Sequence, residues 1–131
     1  MGLGKQAKTL SKGQVEAVLG YLATTRWPTR NRVIFLLSAK AGLRAKEIAG
    51  LTWRMVTDAR GQIGRTIYLE NTASKGQSGR VIPMNDELRT ALASYAKTTI
   101  IASNSFLIES ERSNAMSAQA IVNLFLSLIH I

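Results

Sequence analysis

The stretch Ala41-Gly42-Leu43-Arg44-Ala45-Lys46-Glu47-Ile48-Ala49-Gly50-Leu51-Thr52-Trp53 decides how this 131-residue chain is read. Gly42 marks the end of a preceding apolar helix. A short amphipathic helix, roughly Arg44 to Gly50, then buries Ile48 and Leu51 and leaves Arg44, Lys46 and Glu47 nearer the surface. An arginine fixed at such an opening can grip a phosphate, because a planar, always-charged guanidinium offers two parallel hydrogen bonds where lysine offers a point charge. Glu47 lies three positions on, along the same face, and is expected to hold Arg44 in one rotamer. Taken alone, an Arg-x-x-Glu pair is a surface ion pair of little weight.

Upstream, Ser11-Lys12-Gly13-Gln14 has capping-box spacing, and Val15, Val18, Leu19 and Leu22 then share a face, which predicts a helix from Lys12 to Thr24. Trp27-Pro28 breaks it and opens a second helix, whose Val33-Ile34-Phe35-Leu36-Leu37 run is apolar nearly all round and makes it the core pillar. Downstream, Trp53–Thr57, Arg65–Leu69 and Arg80–Met84 read as three strands separated by Asp58-Ala59-Arg60-Gly61 and by a long polar turn, Asn71 to Gly79. Asn85-Asp86 resembles a helix N-cap, and Leu88, Leu92 and Tyr95 continue at helical spacing to about Thr99. Ser105 to Ile108 is a brief extended segment and Glu109 to Ala115 a loop. Ser117 then opens a last helix with Ile121, Val122, Leu124, Phe125, Leu126, Leu128 and Ile129 around most of its circumference. The fold class is therefore α+β, helices packed with a small three-stranded antiparallel sheet. Residues 1–10 form a basic tail or linker remnant and 11–131 one domain. So apolar a last helix is expected to expose a strip that drives self-association through Phe125 and its neighbours.

With 46% apolar residues the chain is sufficient for a real core. It has no cysteine and one histidine, which excludes a structural zinc site, so no metal and no cofactor is expected. The start has no apolar signal region, and the apolar run near the C-terminus is too short to span a bilayer, so a cytoplasmic protein with no membrane partner is expected. Net charge is +9, and residues 1–60 hold eleven Lys/Arg against three Asp/Glu, while residues 61–131 hold six against five. A basic half on a near-neutral one suits a polyphosphate partner, since each neutralised phosphate releases counterions.

A second element joins the first. Thirty-one residues after Arg44, Ser74-Lys75-Gly76 occupies the polar turn, followed by Gly79-Arg80-Val81-Ile82-Pro83-Met84. With Gly42-Leu43 before Arg44 and Leu51-Thr52-Trp53 after it, this pattern resembles the first two catalytic boxes of the tyrosine recombinases, the phage-integrase family. The resemblance covers about residues 9–131, is most specific at the Arg44 box, and implies part of that family's catalytic domain. It implies that Arg44 clamps the phosphodiester and that Lys75 acts as general acid to the leaving 5′ oxygen; Ser74 and Arg80, on either side of Lys75, are further candidates for contacts to the DNA backbone.

The family's other residues are a His-x-x-Arg pair, a further His or Trp, and a tyrosine nucleophile. His130 is misplaced for the pair, and its arginine would fall beyond Ile131. Tyr21, Tyr68 and Tyr95 lie far from the C-terminus and read as core or half-buried packing residues. The expectation is thus a truncated, DNA-binding recombinase fragment unable to cleave alone, with duplex DNA and a homo-oligomer or an intact recombinase subunit as partners. The alternatives are a non-catalytic DNA-binding regulator of recombination and a basic RNA-binding protein.

Overall fold

The computed structural model describes residues 10–70, 79–99, 101–102, 105–110 and 115–128. Within them are five α-helices and one two-stranded antiparallel sheet. Helix α1 (Lys12–Leu22) starts at Ser11, whose hydroxyl accepts from the Gln14 amide at 3.1 Å while Gln14 Oε1 accepts from the Ser11 amide at 2.8 Å. This reciprocal capping satisfies two amides that a helix start leaves without intrahelical partners. The helix ends at Leu22 rather than Thr24, because the hydroxyls of Thr24 and Thr25 donate to the Tyr21 and Leu22 carbonyls at 2.6 Å and turn the chain. Leu10, placed in the tail by its sequence, packs partly buried on the core.

Helix α2 (Pro28–Ala39) is the pillar, with six consecutive residues from Val33 to Ser38 buried. It stops in an αL cap: Gly42 takes φ 75° and its amide donates to the Ser38 carbonyl, while the Leu43 amide reaches back to the Leu37 carbonyl, both at 3.0 Å. A side chain at 42 would be strained in that left-handed conformation, which is why glycine stands there. Leu43, fully buried, pins the turn.

Helix α3 (Ala45–Gly50) follows at once and buries Ile48. The next segment corrects the expected third strand: Trp53–Met55 forms a 3₁₀ turn, and among the described residues single bridges flank it, Thr52 with Phe106 and Thr57 with Ile63. Its burial is not alternate, since Trp53, Met55 and Val56 are all inside. The Trp53 amide donates to the Ser105 carbonyl at 3.1 Å and the Leu107 amide to the Leu51 carbonyl at 2.8 Å, so the chain at 105–107 runs beside 51–53 without building a ladder.

Strands β1 (Thr66–Leu69) and β2 (Arg80–Pro83) pair with Ile67 opposite Ile82 and Leu69 opposite Arg80. Ile67 and Leu69 face the core. Gly79 lies so close to the Leu69 carbonyl that an added Cβ would overlap it. Helix α4 (Asp86–Ala96) is capped by Asn85, which accepts from the Leu88 amide at 2.9 Å, and lays Leu88, Ala91, Leu92 and Tyr95 inward on a helix that packs along α2. Helix α5 (Ala118–Ser127), capped by Ser117, packs against α3. This corrects the expected free apolar strip: Ile121 and Phe125 are buried within the chain's own core, and Leu126 is the large apolar residue of α5 left open, at 47% exposure. Ile129 lies outside the described residues.

Candidate nucleic-acid interface

Arg44 is the N-cap of α3, extended at φ −87° and ψ 160°, and exposed. It has no acceptor to cap the helix with, so the cap is built from the other side: Glu47 Oε1 accepts from the Arg44 amide at 3.0 Å. The carboxylate also sits in the first turn, where the helix dipole favours negative charge. Among the described residues no side chain pairs with the Arg44 guanidinium. The backbone of Arg44 is therefore fixed while its charged head faces solvent.

The expected contact between the side chains of Glu47 and Arg44 is not formed. Glu47 Oε2 accepts instead from Arg80 Nη2 at 2.6 Å, across thirty-three positions of sequence. Arg80 reaches it because β2 begins there, opposite Leu69. A second ion pair, Arg54 with Glu70 at 2.8 Å, ties the 3₁₀ turn to the residue just after β1. That pair was not legible in the sequence, because neither residue lies in a motif and sixteen positions separate them. Lys75 and Ser74 lie outside the described residues, as does His130. The structure thus brings together Arg44, Glu47 and Arg80.

The tyrosines divide differently from expectation. Tyr95 is buried, stacks on Trp53 with ring centroids 5.7 Å apart, and donates its hydroxyl to the Leu107 carbonyl at 2.7 Å. Burial pushes its pKa up. Tyr21 and Tyr68, expected in the core or half-buried, are exposed: Tyr68 alternates with buried Ile67 and Leu69 and so points off the outer face of β1, while Tyr21 lies away from the Val15, Val18 and Leu22 face of α1.

A separate basic cluster lies at the other end of α2, a helix about 18 Å long. The guanidinium carbons of Arg26 and Arg30 stand 5.3 and 5.7 Å from the Trp27 ring centroid, and Arg30 also donates to the Glu109 carbonyl at 3.2 Å. Among the described residues no group of three His, Cys, Asp or Glu could hold a metal, and no helix is long and apolar enough to cross a membrane.

Among the described residues, five helices and a two-stranded sheet, with an exposed arginine at a helix start tied through Glu47 to β2, match the fold of part of a recombinase catalytic domain. The XerA recombinase superposes with a TM-score of 0.67 at 22% identity, over 91% of this chain and 41% of that one. The integrase of the Tn1549 transposon, in complex with circular-intermediate DNA, superposes with a TM-score of 0.66 at 24% identity, over 92% of this chain and 43% of that one. The chain thus spans about two fifths of the length of these structures. Residues 8–130 match the phage integrase family, and the chain belongs to it. No curated protein matches in sequence at a significant level.

Proposed function

We propose that this chain is the DNA-gripping part of a tyrosine recombinase catalytic domain, which binds duplex DNA through phosphates and does not cleave it alone. Arg44 holds the non-bridging oxygens of one phosphodiester. Lys75 is the proton donor to the leaving 5′ oxygen in a complete active site, and Ser74 approaches the backbone beside it. The observation that carries this reading is the state of Arg44, anchored through its amide by Glu47 with its guanidinium turned to solvent. Support also comes from the eleven Lys/Arg in the first sixty residues and from the Tn1549 integrase, whose structures are complexes with DNA. A homo-oligomer or an intact recombinase subunit is the proposed protein partner.

The test is duplex DNA binding across a range of salt concentrations. The logarithm of the binding constant should fall linearly with the logarithm of salt, and Arg44→Ala should reduce that slope by about 0.9, the loss of one phosphate contact. Salt-independent affinity, or no binding at low ionic strength, would overturn the proposal. Preference for RNA over duplex DNA would favour the RNA-binding alternative.

A further inference from the structure

Both oxygens of the Glu47 carboxylate are in use. One accepts from the Arg44 amide at 3.0 Å and the other from Arg80 at 2.6 Å, while the Glu47 side chain is only 28% exposed. Arg80 is the first residue of β2, and Leu69, its partner in register, ends β1. On the other strand Glu70 is held by Arg54 at 2.8 Å. At Glu70 and Arg80 the two strands are thus tied to the segment that contains α3 and the 3₁₀ turn.

From this geometry we infer that Arg80 is a positioning residue, which acts on Arg44 through Glu47, and not a phosphate contact as its place in the sequence suggests. The inference rests on the proposed phosphate contact of Arg44. Two physical consequences follow from the pair. A bare carboxylate beside Arg44 would repel an incoming phosphate, and the Arg80 guanidinium neutralises it. A carboxylate held at Oε2 also has few rotamers, so Oε1 stays on the Arg44 amide. Exposed ion pairs contribute little to stability, so the effect is one of geometry and local charge. Because its charge is already matched, Arg80 adds little to the counterions released on DNA binding.

The experiment compares the full chain with Arg80→Ala and Arg80→Gln by two readouts: duplex binding against salt, and hydrogen exchange of the Arg44 amide by NMR. Both variants should bind a few-fold more weakly with the salt slope of the parent, in contrast to Arg44→Ala. The Arg44 amide should exchange about fivefold faster, the worth of a weakened cap, while the Leu88 amide, capped by Asn85, stays unchanged and shows the fold intact. A slope lowered by about one marks Arg80 as a direct phosphate contact and overturns the inference. An unchanged Arg44 amide overturns it too. If the parent fails to bind DNA, the functional proposal falls, and amide exchange still decides whether Arg80 positions Arg44.

Discussion

Tyr95→Phe removes one oxygen from the centre of the fold, and its cost follows from what that oxygen does. Tyr95 is 5% exposed and Leu107 is fully buried, so when the 2.7 Å hydrogen bond is lost no water replaces the donor to the Leu107 carbonyl. A buried acceptor left without a partner costs about 1–3 kcal/mol. The ring stays, so the stack on Trp53 and the apolar burial are retained. With a urea m-value of about 2 kcal/mol/M, typical of a chain this size, the midpoint of unfolding should fall by about 1 M with m unchanged. The loss also has a pH signature. The folded-state pKa of Tyr95 is raised above 10.0 by burial, so its contribution is fully present below pH 10 and is lost as pH rises through the folded value, where the unfolded chain releases the proton first. The parent should therefore lose its advantage over Tyr95→Phe above pH 10 and keep it below. A midpoint within about 0.2 M of the parent at neutral pH would refute the reasoning, since the bond could then not be a buried one.

A suicide DNA substrate should trap no covalent adduct, because the Tyr95 hydroxyl is committed to Leu107 and neither exposed tyrosine has the C-terminal place of the family nucleophile; an adduct on Tyr21 or Tyr68 would contradict this. Phe125→Asp should unfold the chain rather than dissociate it, as Phe125 is buried against the rest of the core, and a folded variant by circular dichroism would show otherwise. In the proposed homo-oligomer, Leu126 is the large α5 side chain left to be buried: light scattering is expected to show an assembly in the parent and a monomer for Leu126→Asp, and a monomeric parent would rule out self-association.

Features set by near neighbours along the chain are legible in the sequence itself. Ser11 with Gln14, Asn85 with Leu88 and Ser117 with Ala120 each cap a helix across three residues, and Gly42 ends α2 through the left-handed conformation that only glycine adopts without strain. The Arg44 box is visible for the same reason: cap, carboxylate and buried Ile48 all fall within five residues.

What lies beyond that range is decided by the tertiary structure. Trp53 to Thr57 has the composition of a strand, yet the backbone partner of Trp53 is Ser105, fifty-two positions away, and its ring is claimed by Tyr95, so packing overrides the local preference for extension. Phe125 belongs to an apolar helix whose partner cannot be named from periodicity; only the docking of α5 on α3 shows that the core has room for it. Glu47 is readable as a helper of Arg44. That its second oxygen belongs to Arg80 depends on where the hairpin lands, because a carboxylate chooses its partner by distance in space, which the order of residues along the chain does not state.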